Sequence, residues 1–211
     1  MTFEGGEGVG KSTQMRLLAE TLEGEGTRVL LTREPGGTPG AEAVRHVVLG
    51  GHAKRMGVEM EAVLFAAARR DNVEQIISPA LRSGHTVLCD RYMDSSRVYQ
   101  GVVGRTDPVL MDAFEAAATE GARPDLTFIF DLPAEAALKR MRARQSAGRD
   151  DRYEREDVAA HRERREAFLR IARAEPERCV VIDADRPVGV IADEVAAATR
   201  DRLGLSAGAT S

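Results

Sequence analysis

The sequence predicts an α/β fold: a doubly wound, five-stranded parallel sheet with helices on both faces. Three observations predict it. Short β-branched or aromatic runs alternate with longer segments of helical periodicity. Most of the short runs are continuously apolar, as strands covered on both faces must be. Gly or Pro punctuates the chain between them.

The strands are expected at residues 2–3, 28–32, 86–90, 126–132 and 179–183. The first is abbreviated, since only Met1 to Glu4 precede a glycine-rich loop, whereas a buried strand usually runs about five or six residues. Either it is cut short or the start lies upstream. Helical patterns fill residues 11–23, 42–49, 58–83, 108–119, 134–144, 154–174 and 188–202. Residues 206–211 are small and polar and are expected to form a disordered tail, which leaves 1–205 as a single domain.

Composition narrows the functional classes. A hydrophobic fraction of 43% in 211 residues supports one globular core. The charged fraction of 30% balances to a net −4, so no basic field exists to hold nucleic acid, and any phosphate binding must be local. Cys89 and Cys179 sit in apolar runs, as buried thiols do, and no disulfide is expected. No run approaches the roughly 18 apolar residues of a membrane span, and the amino terminus lacks a basic region followed by an apolar one, so a reducing cytoplasm is expected. His46, His52, His85 and His161 have no ligand-like spacing and are read as surface or structural residues.

Gly5-Gly6-Glu7-Gly8-Val9-Gly10-Lys11-Ser12 satisfies G-x-x-x-x-G-K-[ST] between a strand and a helix, the context that motif requires. Glycines let the backbone fold into a nest whose N–H groups face phosphate oxygens, with Gly10 needing positive φ or close approach. The helix start, Lys11 and the neighbouring Thr13 add positive charge and donors for ATP, and the Ser12 hydroxyl can ligate Mg²⁺. The fold is thereby placed in the P-loop NTPase type. No Asn/Thr-Lys-x-Asp guanine signature follows, which disfavours a GTPase.

Two further segments stand at carboxyl ends of strands, the edge where open α/β sheets bind ligands: Thr32-Arg33-Glu34-Pro35-Gly36-Gly37-Thr38 and Asp90-Arg91-Tyr92. With them, Phe65-Ala-Ala-Ala-Arg69, Tyr99-Gln100-Gly101 and Arg123-Pro124-Asp125, the chain resembles the thymidylate kinases over nearly its whole length. That resemblance implies transfer of the γ-phosphoryl group of ATP to dTMP, giving dTDP and ADP for dTTP synthesis. It implies that Phe65 stacks on thymine, with Arg69 on the same helix face. Arg91 would grip the acceptor phosphate, Arg33 and Pro35 would border the acceptor, and Ser96 and Gln100 would read the base edge. Glu7 would face the sugar 3′-hydroxyl, with Tyr99 and Tyr153 against a ribose 2′-hydroxyl. Asp90 would lie near Mg²⁺ or its waters. A homodimer is implied, through either the Ala-rich helix 62–68 or the helix carrying Met111 and Phe114.

Transfer between phosphates needs no general base, because the acceptor is mostly a dianion at neutral pH. Charge neutralisation is the requirement, from Mg²⁺, Lys11 and arginines. Some thymidylate kinases carry an arginine directly after the acidic P-loop residue; here that position is Gly8. The arginine-rich stretch 140–152 resembles a lid, placed at about 142–153, that supplies one in cis. Arg144 is the first choice and Arg149 its competitor, with Arg140 on the ATP side. The rival readings are another P-loop kinase acting on a different acceptor, and a nucleotide-hydrolysing switch module.

Overall fold

A computed structural model describes residues 1–145 and 158–204, apart from the side chains of Lys54, Arg144 and Gln145. Five parallel strands, β1 (Thr2–Glu4), β2 (Val29–Arg33), β3 (Thr86–Asp90), β4 (Thr127–Asp131) and β5 (Cys179–Asp183), lie in the order β2-β3-β1-β4-β5. The shortest strand is therefore the central one. β1 has three residues, all buried, with β3 on one side and β4 on the other. Its neighbours supply the sheet's length while β1 delivers the chain directly into the glycine-rich loop.

The helices are α1 (Lys11–Gly24), α2 (Pro39–Leu49), α3 (Val58–Asn72), α4 (Ser78–Arg82), α5 (Met93–Ser96), α6 (Pro108–Thr119), α7 (Ala134–Gln145), α8 (Val158–Ala174) and α9 (Val188–Leu203). The expected helix over 58–83 is α3 and α4 joined by a π-helical turn at Val73–Ile77. Helix α2 starts three residues earlier than expected because Thr38 caps it, its hydroxyl accepting from the Ala41 N–H at 3.0 Å, and Pro39 takes the first turn, where no N–H is needed. Sequence periodicity missed two pieces: a 3₁₀ turn at Ala53–Met56, and α5 with the π-helical segment Arg97–Val103 behind it.

Helices α1 and α9 pack together on the sheet, burying Leu18, Leu22, Ile191 and Val195 against Phe3, Phe128 and Ile182. Phe3 stacks on Phe130 with centroids 6.0 Å apart. Helix α8 covers β4 and β5 through Phe168 and Ala172. Burying side chains of this size contributes about 1.5–3 kcal/mol each and fixes the strand ends that carry the site.

Candidate active site

The carboxyl ends of β1 and β3 open into one solvent-open cleft, lined by Glu7, Pro35, Phe65, Arg91, Tyr99 and Gln100, among others. The chain bends into the cleft by necessity. Gly10, just before α1, adopts φ 98°, and a β-carbon there would meet nothing within 4 Å, so its need for glycine is conformational. At Gly8 the reason is also steric: φ is 75°, and a β-carbon would stand 2.9 Å from both the Ala137 carbonyl oxygen and Met141 Cγ of α7.

Lys11 is buried, with its Nζ donating to the carbonyls of Gly6 (2.6 Å) and Gly5 (3.1 Å). Burial and the nearby Arg91 push its ammonium down to about 8, against the pull of Asp90, Glu7 and Glu4. The Ser12 hydroxyl donates to Asp90 Oδ2, so a hydroxyl and a carboxylate meet beside the loop, hard oxygen donors of the kind Mg²⁺ takes.

Arg91 is held at φ 68°, a left-handed conformation that costs a non-glycine residue about 1–3 kcal/mol and that the surroundings must over-determine. Its backbone N–H donates to Phe3 (3.0 Å); its guanidinium reaches the Gly5 carbonyl (3.1 Å), Ser95 Oγ (3.0 Å) and Glu7 Oε1 (3.1 Å). Glu4, wholly buried, receives the N–H of Tyr92 (2.7 Å), the N–H of Ser95 (3.2 Å) and the Ser95 hydroxyl (2.6 Å), tying the start of α5 to β1. Burial, with Asp94 nearby, pushes the Glu4 carboxyl up to about 7 against those hydrogen bonds and Arg91.

Glu7 is held from several sides. The Tyr99 hydroxyl donates to its Oε1, while Arg164 (3.3 Å) and His161 Nδ1 (3.8 Å) face its Oε2. Burial pushes this carboxyl up, but Arg91, Arg164, Tyr99 and Lys11 together hold it below the usual carboxylate range. Burial and Glu7 in turn push the Tyr99 phenol up.

Deeper in the cleft, Arg69 Nε donates to Glu34 Oε2 at 2.7 Å and its Nη2 to Ser96 Oγ at 3.1 Å. Burial pushes the Glu34 carboxyl up to about 7 against the pull of Arg69. Gln100 Nε2 donates to Glu61 Oε1 at 2.9 Å, which fixes the rotation of the amide. Phe65, half-buried on α3, leaves its ring to the cleft.

Of the residues picked from sequence, Glu7, Pro35, Phe65, Arg69, Arg91, Ser96, Tyr99 and Gln100 line this one cleft. Arg33 does not: its exposed guanidinium pairs with Glu42 at 2.8 Å and borders a separate groove along β2. Arg140 points to the end of β5, donating to the Ala184 carbonyl (3.0 Å) and Asp185 (3.3 Å). Arg149 and Tyr153, like most of the expected lid and the tail at 206–211, lie outside the described residues; Arg144 is placed by its backbone in the last turn of α7. Sequence reasoning missed Arg45 of α2, which lines the cleft and donates to the Pro35 carbonyl (2.8 Å). It also missed Arg164, and His161, expected at the surface or in a structural role, is 5% exposed behind Glu7.

Comparison with known proteins agrees with the geometry. The family model described as "Thymidylate kinase" matches residues 3–195. A thymidylate kinase of Nitrobacter winogradskyi is 52% identical over 202 residues, covering 96% of this chain and 88% of the relative. One from a Bradyrhizobium strain is 50% identical over 211 residues, covering 100% of this chain and 93% of the relative. The crystal structure of thymidylate kinase from Ehrlichia chaffeensis superposes with a TM-score of 0.75 at 33% identity, over 94% of this chain and 96% of that one.

Proposed function

The chain belongs to the thymidylate kinase family, and from that premise we propose how its residues divide the work of passing the γ-phosphoryl group of ATP to dTMP. The observation that carries the assignment of roles is the position of Arg91: one guanidinium touches the Gly5 carbonyl of the ATP loop and borders the cleft that holds Phe65 and Gln100. Residues on both sides of the transferred group thus meet at one cation.

Loop residues 5–13 hold the ATP phosphates, with Lys11 supplying charge to the β and γ oxygens and Arg140 lying on the donor side. Ser12 and Asp90 hold Mg²⁺, which when bound neutralises charge on the phosphates. Thymine lies on Phe65, with Gln100 and Ser96 at its edge; Arg69 holds Ser96 in place. Glu7 and Tyr99 face the sugar, and Arg91 takes the dTMP phosphate, where Arg45 stands close by. The dianionic acceptor oxygen attacks in line, and arginines stabilise the spread charge. Arg144, or Arg149, completes that set: Arg144→Ala lowers turnover with little effect on ATP affinity, and unchanged turnover transfers the role to Arg149.

The enzyme acts in the cytoplasm as a homodimer. Both cysteines are free and buried, and among the described residues no helix is long and apolar enough to cross a membrane. Ala62, Ala68 and Met111 are consumed by the core, while Met60 and Val63 of α3 and Val109 of α6 stay exposed as an apolar face for a second copy. Equilibrium sedimentation tests this, a monomer at micromolar concentration ruling it out.

The deciding assay measures ADP formation with Mg-ATP against dTMP, dUMP, UMP, CMP and AMP, for the native enzyme and for Phe65→Ala and Gln100→Ala. Thymidylate selectivity that falls in both variants supports the assignment of the base site; selectivity unchanged in both overturns it.

A further inference from the structure

Helix α8 turns one stripe of side chains towards the P-loop: His161, Arg164 and Phe168, at helical spacing i, i+3, i+7. All three are buried. Arg164 is 1% exposed, and its Nη1 lies 3.3 Å from Glu7 Oε2. Its guanidinium carbon sits 5.0 Å from the centroid of the Tyr99 ring, whose edge meets Phe168 with centroids 6.3 Å apart at 69°. Arg91 approaches the same ring at 5.2 Å. Tyr99 is thus held by two cations, by Phe168 at its edge and by its hydroxyl on Glu7.

This arrangement divides the labour between two arginines. Glu7 presents Oε1 to Arg91 and Tyr99 and Oε2 to Arg164. Arg91 must also serve an incoming phosphate, and a carboxylate with no other counter-ion would compete for it. Arg164, buried on a helix outside both phosphate segments, gives Glu7 a standing counter-ion. Its flat guanidinium at the same time fixes the plane of Tyr99, the ring against which a 2′-hydroxyl would collide.

We propose that Arg164 is a specificity-determining positioning residue: from α8 it locks the Glu7 carboxylate and the Tyr99 ring into one geometry, and thereby sets the preference for deoxyribose over ribose in the acceptor. The proposal rests on the reading that Glu7 and Tyr99 face the sugar.

The test compares kcat/KM for dTMP and for 5-methyluridine monophosphate, which differ only at the 2′ position, in the native enzyme, Arg164→Met, Arg164→Lys and Tyr99→Leu. Arg164→Met keeps the side-chain length and removes charge and plane. It is expected to lower the deoxyribose-to-ribose ratio about tenfold, mainly by lowering KM for 5-methyluridine monophosphate as the 2′ collision is relieved, with kcat much less affected. Arg164→Lys, which restores the charge on Glu7 without the planar stacking, is expected to fall between. A ratio equal to the native one in folded Arg164→Met overturns the proposal even if catalysis is weaker for both acceptors, because a purely structural role lowers both together. If Arg164→Met does not fold, Arg164→Lys carries the same decision: an unchanged ratio overturns, a reduced one supports. The underlying sugar-side reading is judged separately by Tyr99→Leu and Glu7→Gln. If neither of these alters the ratio, that reading fails; if they alter it and Arg164 variants do not, only the role of Arg164 fails.

Discussion

Arg69 and Glu34 form an ion pair 2.7 Å long in which each side chain is only 3% exposed. Arg69 also lies 5.1 Å from the centroid of the Tyr92 ring and donates to Ser96, so three walls of the cleft hang on one guanidinium. Two charges buried together are tolerated through their mutual attraction; one left alone is not.

Arg69→Met should therefore destabilise the fold, and by an amount that depends on pH. The Glu34 carboxyl is already pushed up to about 7 with Arg69 present, and without it the carboxyl rises further. Near pH 6 the variant escapes the penalty by holding a proton on Glu34. At pH 9 the variant must either bury the carboxylate charged or hold a proton that the native protein has released, and the extra loss grows to at most about 2.7 kcal/mol, two pH units at about 1.36 kcal/mol each. Urea unfolding at the two pH values measures it, with Glu34→Gln/Arg69→Met as the control that removes the pH dependence. A deficit that stays flat from pH 6 to pH 9 sinks the argument.

Gly8 carries a second prediction, because α7 occupies the space its side chain would need. Gly8→Ala places a methyl 2.9 Å from the Ala137 carbonyl oxygen at a φ of 75°. Strain of about 1–3 kcal/mol is expected, divided between a lower melting temperature and weaker ATP binding. Gly8→Arg should be worse on both counts, and should not rescue Arg144→Ala. Calorimetric melting and ATP titration check this; native-like values for Gly8→Arg would mean that α7 does not press on the loop.

Much of this was legible in the sequence, for identifiable reasons. Doubly buried strands are apolar throughout, so β3 and β4 announce themselves, whereas β5 reads the same way although it is an edge strand with Val181 exposed; the P-loop is a local motif whose glycines have local causes. The segment 93–103 was not legible as helix, since Asp90-Arg91-Tyr92 just before it reads as a strand end and its turns are partly π-helical. The packing of α7 on Gly8 is a contact across more than 120 residues and leaves no trace in spacing. Arg164 was invisible for a different reason. Helix α8 also carries Arg162, Arg165, Arg170 and Arg173, and an arginine-rich helix reads as a solvated face. Only the tertiary structure reveals that one of these arginines points inward, onto a carboxylate in the P-loop.

Lys11 gives a prediction about binding. Its ammonium, pushed down to about 8 in the unliganded protein, loses its proton as pH rises through that value, whereas a bound triphosphate favours the charged form. ATP binding above pH 8 should then take up close to one proton, and affinity should weaken by up to about tenfold between pH 7 and pH 9. Titration calorimetry in buffers of different ionisation enthalpy counts the proton. Lys11→Arg, charged at every pH in this range, should bind without uptake; equal uptake in both proteins would locate the proton elsewhere.

Glu4 links the central strand to α5, and its titration should be visible in the stability of the whole fold. Burial beside Asp94 raises its folded pKa from 4.5 to about 7, so the native state holds this proton more tightly than the unfolded chain does. The contribution is fully present below pH 4.5, declines as pH rises through the window, and is lost above about 7. Its full size is about 3 kcal/mol, reduced by whatever Asp94 shares of the proton. Glu4→Gln mimics the protonated acid: its amide oxygen can still accept from the Tyr92 N–H, and its amide group can donate to the Ser95 hydroxyl. The variant should thus be no more stable than native at pH 5, and should lose less stability than native between pH 5 and pH 8. Urea midpoints at unit pH intervals decide it. Parallel curves for the two proteins would show that Glu4 stays ionised throughout, held by its three donors against the cost of burial.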